Sequence, residues 1–204
     1  MSLDNIDKII KEDSEVNNTT LRTIAMIPTE HLSSMVEEGF IQKLTDEDIM
    51  RIAVLLAKKG YDEGGCAIGA VIRDNETKEI IGKGHNRHIQ EGRVYWHGET
   101  DAINDAGTRA DFSKATLFTT LTPCSVCTAL THSQGFNRLV IGNTLEGVNK
   151  ENEDILVAKG VQVDIKEDQE GIDLYANYAA EKPEQDTRDW QGQAGVVRAG
   201  LCCE

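Results

Sequence analysis

The sequence predicts an α/β protein in which a mixed sheet of five strands is covered by helices on both faces. Two observations carry this. From Leu44 onward, short aliphatic and β-branched runs alternate with stretches whose apolar residues recur at helical spacing. Turn and cap residues (Thr45, Gly60, Asp74-Asn75, Gly107) mark where one run gives way to the next.

Residues 1–44 read as a helical extension. Ile6, Ile9 and Ile10 have helical spacing, SEVNNTT reads as a polar break, and a second helix is predicted from an N-cap at Thr29 through Phe40. The expected role of the extension is packing against the main body or a partner subunit. Thr45 then opens a helix with Asp46, Glu47 and Asp48 in its first turn, and Ile49, Ile52, Ala53 and Leu56 continue it to Gly60. Residues 66–74 (CAIGAVIRD) read as a buried strand, 74–78 as a hairpin turn and 79–87 as the returning strand. Helices at 97–107, 124–135, 152–160 and 171–182 alternate with strands at 115–121, 138–143 and 161–165. The folded domain is expected at 45–190, and the Gly-rich end, 191–204, as a flexible tail.

The bulk numbers narrow the function classes. Over 204 residues, 39% are hydrophobic and 27% charged, the balance of a soluble globular chain. No stretch approaches the roughly 18 apolar residues needed to span a bilayer, so no membrane role is expected. The acids near the start exclude a signal-peptide pattern, and a cytoplasmic location is expected. Five cysteines, an odd number in such a chain, point to metal binding or catalysis rather than a disulfide framework. A formal net charge of −14 repels phosphate backbones, which argues against a nucleic-acid partner and leaves a small neutral substrate unpenalised.

The chemistry concentrates in His97-Gly98-Glu99 and Pro123-Cys124-Ser125-Val126-Cys127, both at predicted helix starts. Cys124 and Cys127 are three apart, so one helical turn directs both thiolates at a single ion, and His97 adds a neutral nitrogen. Three protein ligands leave one tetrahedral position open, whereas a structural zinc site takes four. Glu99 is placed to take a proton from an activated water and return it to a ring nitrogen and a leaving amine. Each piece has a blander reading alone: C-x-x-C as structural or redox thiols, His97 as a hydrogen-bonded histidine, Glu99 as a solvated helix-start acid. Together, H-x-E followed by P-C-x-x-C is the signature of zinc nucleobase deaminases.

At these residues the chain resembles the cytidine and deoxycytidylate deaminase superfamily, and within it the fungal-type cytosine deaminases. The likeness extends to GYDEGGCAIGAVI (60–72), IIGKGHNR (80–87) and LFTTLTPCSVCT (117–128), and covers about residues 45–190. It implies a three-layer α/β/α fold, a homodimer, bound zinc, Glu99 as proton shuttle, and conversion of cytosine to uracil and ammonia. Carried over by position, Asn86 and the Gly98 amide would hold the pyrimidine carbonyl, and the Thr122 carbonyl would handle the departing amine. Asp189, or Asp186 if one residue is inserted, would sit over the exocyclic amine.

Two features depart from the family. Its aromatic residues after the fourth strand and in the C-terminal lid are replaced here by Gly147 or Val148 and by Asp186 and Thr187, with Trp190 close by. Loss of stacking surface keeps other amino-substituted rings open: creatinine, triazine, guanine or pterin types. A tRNA adenosine deaminase and a non-catalytic zinc domain are the remaining alternatives; charge opposes the first and Glu99 the second. Elsewhere, His85 and His88 flank Asn86, Cys66 reads as a core thiol, Cys202 and Cys203 end the tail, and Trp96 packs beside His97.

Overall fold

A computed structural model describes residues 16–32, 39–108, 110–144 and 150–189, with side chains to 186. In chain order, β1 (Gly69–Asp74), β2 (Ile80–His85), β3 (Ala115–Thr119), β4 (Arg138–Ile141) and β5 (Gln162–Ile165) form one sheet of order β2-β1-β3-β4-β5. β1 runs antiparallel to both β2 and β3, while β3, β4 and β5 are parallel, so the sheet is mixed.

Residues alternate between the two faces of each strand, and the core divides accordingly. Val71, Phe118 and Val140 face one layer, with Ile49, Ile52, Leu55 and Leu56 of a long helix at Asp46–Asp62. Ala70, Ile72, Leu117, Leu139 and Ile141 face the other, with Ala102, Phe112, Phe136 and Leu156. The α/β/α layering follows from this division.

The helices are α1 (Asn18–Met26), α2 (Asp46–Asp62), α3 (His88–Glu91), α4 (Gly98–Ala106), α5 (Ser125–Ser133), α6 (Lys150–Ala158), α7 (Gln169–Glu181) and α8 (Pro183–Asp189). α2 begins as its sequence predicts: the Thr45 and Asp48 side chains each accept from the other's backbone N–H, closing a capping box. α4 crowds β2, and Gly84 makes that possible. A Cβ there would lie 2.4 Å from the Ala102 amide nitrogen.

The N-terminal segment differs from its sequence-based reading. Residues 18–26 are helical, beginning inside the run 14–20 that the sequence reads as a polar break, because Asn17 caps the helix through bonds from the Thr19 and Thr20 amides. Leu21, Ile24 and Ala25 then bury one face against the core, together with Ile27, Leu32, Phe40 and Ile41. From Thr29 there is only a short 3₁₀ turn, Thr29–His31, and residues 33–38, like Ile6–Ile10, lie outside the described residues. Two further short helices, α3 and α8, went unforeseen. α8 starts at a proline, which suits a first helical position because its missing N–H has no partner to lose there.

Lys83 fastens α1 to the sheet. From β2 its buried Nζ donates to the carbonyls of Ile24 (2.6 Å) and Ile27 (2.5 Å) at the end of α1. Burial lowers its pKa to about 8. Asp105 of α4 accepts from the Lys83 amide (2.8 Å) and the Thr29 hydroxyl (2.5 Å), closing the corner.

Candidate active site

Two helices start side by side where β3 ends, and each carries part of the site at its first residues. His97 is the N-cap of α4 and Cys124 the N-cap of α5, both in extended backbone. A Thr100 hydroxyl accepts from the His97 amide (2.8 Å) and donates to the Tyr95 carbonyl (2.6 Å), which locks the histidine's entry into the helix.

His97 Nδ1 lies 3.4 Å from Cys124 Sγ and 3.5 Å from Cys127 Sγ. All three ligand atoms fall within 4.8 Å of one another. The two thiols share a proton unequally. A hydrogen bond from Cys127, aided by His97, holds Cys124 down to about 4, whereas the bond to Cys124, burial and the Glu99 charge push Cys127 well above the ordinary thiol range. A convergent set of two sulfurs and one imidazole, with one proton left on Cys127, is a donor set that a zinc ion would satisfy by displacing that proton. Both helix N-termini direct positive dipole ends at the thiolates, which favours their charged form.

Glu99 sits in the first turn of α4, only 4% exposed. Its Oε1 accepts from the Thr119 hydroxyl (3.1 Å) at the end of β3, and its Oε2 lies 3.5 Å from Cys127 Sγ. Burial, then the nearby Cys124 charge, raises its pKa. A carboxyl so placed is fixed at one oxygen and faces the metal ligands with the other.

Of the substrate-side residues predicted from the sequence, Asn86, Gly98 and Thr122 lie at the same sheet end. Asn86, 1% exposed, follows β2; its Oδ1 accepts from the His88 amide (3.0 Å), and its own amide donates to the Ile68 carbonyl (2.8 Å). Gly98 packs on the start of β1, where a Cβ would meet Gly69 Cα and the Ile68 carbonyl at 3.3 Å. Asn86 and Gly98 therefore meet at one backbone carbonyl. Thr122 is buried, with its amide on the Asn143 carbonyl (3.0 Å) and its hydroxyl on Glu153 (3.0 Å). Asp186 is buried and accepts from the Tyr175 hydroxyl (2.6 Å). The side chain of Asp189 lies outside the described residues, as do Gly147, Val148 and Trp190.

Four contributors escaped the sequence reading. Tyr175 and Tyr178 of α7 pack with Leu121 and Cys66 around Cys124 and Cys127, which makes α7 a wall of the metal cluster. From α6, Asn152 donates to the Pro123 carbonyl (3.0 Å) and buried Glu153 receives Thr122. The sequence signals only a helix there, with nothing to say that these two polar residues face inward. His85 and Cys66 take the bland readings: His85 Nε2 lies 2.9 Å from Glu63 Oε2, and Cys66 is buried in the core.

Residues 43–143 match the cytidine and deoxycytidylate deaminase zinc-binding region. Cytosine deaminase of Candida albicans is 38% identical over 152 residues, covering 74% of this chain and 97% of the relative. A tRNA-specific adenosine deaminase of Haemophilus influenzae is 36% identical over 101 residues, covering 48% of this chain and 57% of the relative. Among solved structures, the guanine deaminase of Nitrosomonas europaea superposes with a TM-score of 0.60 at 19% identity, over 67% of this chain and 85% of that one. At that identity the likeness bears on the fold, which it shares.

Proposed function

Because the chain belongs to the cytidine and deoxycytidylate deaminase family, a family of zinc-dependent hydrolytic deaminases, we propose that its substrate is a small free heterocycle, cytosine, converted to uracil and ammonia. The observation that carries this is Glu99, a buried carboxyl with one oxygen against Thr119 and the other beside the His97, Cys124 and Cys127 donor set. Similarity to the Candida enzyme over 97% of its length supports cytosine as the ring.

His97, Cys124 and Cys127 would hold the zinc ion, which when bound would lower the pKa of water from about 15.7 toward 7 and so supply a nucleophile near neutral pH. The rest falls to the chain's own groups. The Gly98 amide is the first of its helix and has no partner within it, so it is free to donate to a ring carbonyl. Asn86, with its oxygen engaged by His88, offers its amide N–H to the same edge of the ring. Glu99 Oε2 takes a proton from the attacking water and delivers it to the ring nitrogen beside the reacting carbon. A second proton passes through the same oxygen to the amino group as the carbon–nitrogen bond breaks, and ammonia leaves. The balance is cytosine plus water giving uracil plus ammonia. Asp186, held by Tyr175, is placed by our reading over the departing amine, with Asp189 the other candidate, and the Thr122 carbonyl assists there.

A homodimer fits the surface. A groove of about 600 Å³ between α4 and α5 is lined by Val94, Tyr95, Trp96, Ile103, Phe112 and Leu130, with Tyr95 65% exposed. A second copy covering it would close over the loop that delivers His97. The net charge of −14 argues against a nucleic-acid substrate. No helix among the described residues is long and apolar enough to cross a membrane, and by our reading the protein acts in the cytoplasm.

The test is ammonia release by the zinc-loaded protein across cytosine, 5-methylcytosine, creatinine, guanine, aminotriazines and cytidine. Cytosine turnover with uracil as product supports the reading. Turnover of another ring alone overturns the substrate and keeps the chemistry.

A further inference from the structure

One turn into α4 a single carboxylate binds both halves of the site from behind. Asp101 is 8% exposed. Its Oδ2 accepts from the His85 amide (3.1 Å), and its Oδ1 accepts from the Trp96 indole N–H (2.8 Å) and from the Arg87 guanidinium. His85 and Arg87 are the residues immediately before and after Asn86. Trp96 immediately precedes His97. The backbone repeats the pattern, since the Arg87 amide donates to the Trp96 carbonyl (2.9 Å) and the Asp101 amide to the His97 carbonyl (2.9 Å).

We propose that Asp101 is a positioning residue that holds the substrate-side Asn86 and the metal-side His97 in register through their chain neighbours. It touches neither substrate nor metal. The proposal rests on the functional reading above only for what Asn86 does; the tie to His97 stands on geometry alone.

The physical argument is one of rigidity. Asn86 follows a strand and His97 follows the short irregular stretch 92–97, so their relative placement depends on what joins the two backbones. The guanidinium carbons of Arg87 and Arg93 lie over the Trp96 ring, 5.1 and 4.4 Å from its centroid, which restrains the ring face but not its rotation in plane. The indole N–H bond to Asp101 fixes that rotation. Arg87 neutralises the buried carboxylate, so the three donors are satisfied without an unpaired charge. Loss of groups that orient metal ligands costs typically 10- to 100-fold in metal affinity or activity.

The experiment uses the zinc-loaded full chain with two readouts: the rate of zinc release to a chromogenic chelator, and KM against kcat on the ring that wild type turns over. Asp101→Ala should release zinc roughly 10-fold faster and raise KM roughly 10-fold, and Asp101→Asn, which keeps an acceptor for Trp96, should recover part of both. The two arms separate in single variants. Trp96→Phe should speed zinc release and leave KM near wild type, while Arg87→Gln should raise KM and leave zinc release within about twofold. Asp62→Asn, at an exposed carboxylate paired with Lys58, is the control for charge and should change neither. Wild-type zinc release and KM in a folded Asp101→Ala would overturn the proposal. Should that variant not fold, unchanged values in both Asp101→Asn and Trp96→Phe would overturn it equally. If wild type turns over none of the rings, the functional reading fails, and the zinc-release arm still decides the role of Asp101.

Discussion

At the scale of single residues the account turns on which groups carry charge and which only support it. Glu99→Gln keeps the shape and the Thr119 contact but cannot shuttle a proton. It should retain one zinc per chain and lose turnover by roughly 10²- to 10⁴-fold, as read by metal analysis beside an ammonia assay. Loss of the metal instead would make Glu99 a ligand-set component. A second prediction concerns Asn152, whose side chain satisfies the Pro123 carbonyl ahead of Cys124. Asn152→Ala should cost about 0.5–1.5 kcal/mol in urea unfolding, because it removes the shorter of the two bonds on a buried acceptor and leaves it the Thr128 hydroxyl at 3.5 Å; an unchanged midpoint would mean that the Thr128 bond suffices. That His97, Cys124 and Cys127 could share one ion, with Glu99 beside them, was legible in the sequence because each motif is local, with spacing that one helical turn converts into convergence. Asn152, Glu153 and Tyr175 were not, because their part depends on contacts with residues dozens of positions away, and helix periodicity says nothing of those. The choice between Asp186 and Asp189 shows the same limit: both lie on α8, and Asp186 is the one whose side chain is described, bonded to Tyr175.

Among elements, the sheet and its covering helices followed from period-2 and period-3.6 patterns, with ends displaced by a few residues where a cap rather than a helical residue stands. His97 and Cys124 are such caps, outside their helices and at the metal site for that reason. α1 was missed because its N-cap, Asn17, sits in a polar run that reads as a break, while the buried face that stabilises the helix is paired in space with α2 and β2. Two predictions belong here. Gly84→Ala would drive a Cβ to 2.4 Å from the Ala102 amide and 2.6 Å from Asp101 Cβ, so α4 must shift. Since α4 carries Glu99, the variant should lose about 1–3 kcal/mol of stability and activity with it, tested by thermal melts and ammonia release together. For Lys83, the folded chain releases the proton near pH 8, whereas the unfolded chain holds it until about 10.5. Between those values the unfolded state binds more protons, so this residue's contribution to stability rises with pH. Urea unfolding at pH 7.5 and 10 should show wild type gaining on Lys83→Met; a shrinking difference would contradict the buried ammonium's assignment.

For the whole molecule, charge and surface decide what the site meets. A net charge of −14 makes the approach of RNA unfavourable, and the alternation of apolar and charged residues made the domain's class legible, but no sequence pattern marked the groove beside the His97 loop. That groove gathers residues from 93 to 134, which only the fold places side by side. If a second copy covers it, Tyr95→Glu should convert a dimer to a monomer in sedimentation equilibrium; a wild type that is already monomeric would remove the dimer from the account. The central claim is that zinc on three ligands and a proton-shuttling Glu99 deaminate a small free ring. Its most direct test is ammonia release from cytosine by metal-free protein titrated with zinc. The account predicts activity that rises to a plateau at one zinc per chain for wild type and stays flat for Glu99→Gln at the same occupancy. Full zinc occupancy with no ammonia from cytosine, or equal release by the Glu99→Gln protein, would contradict it.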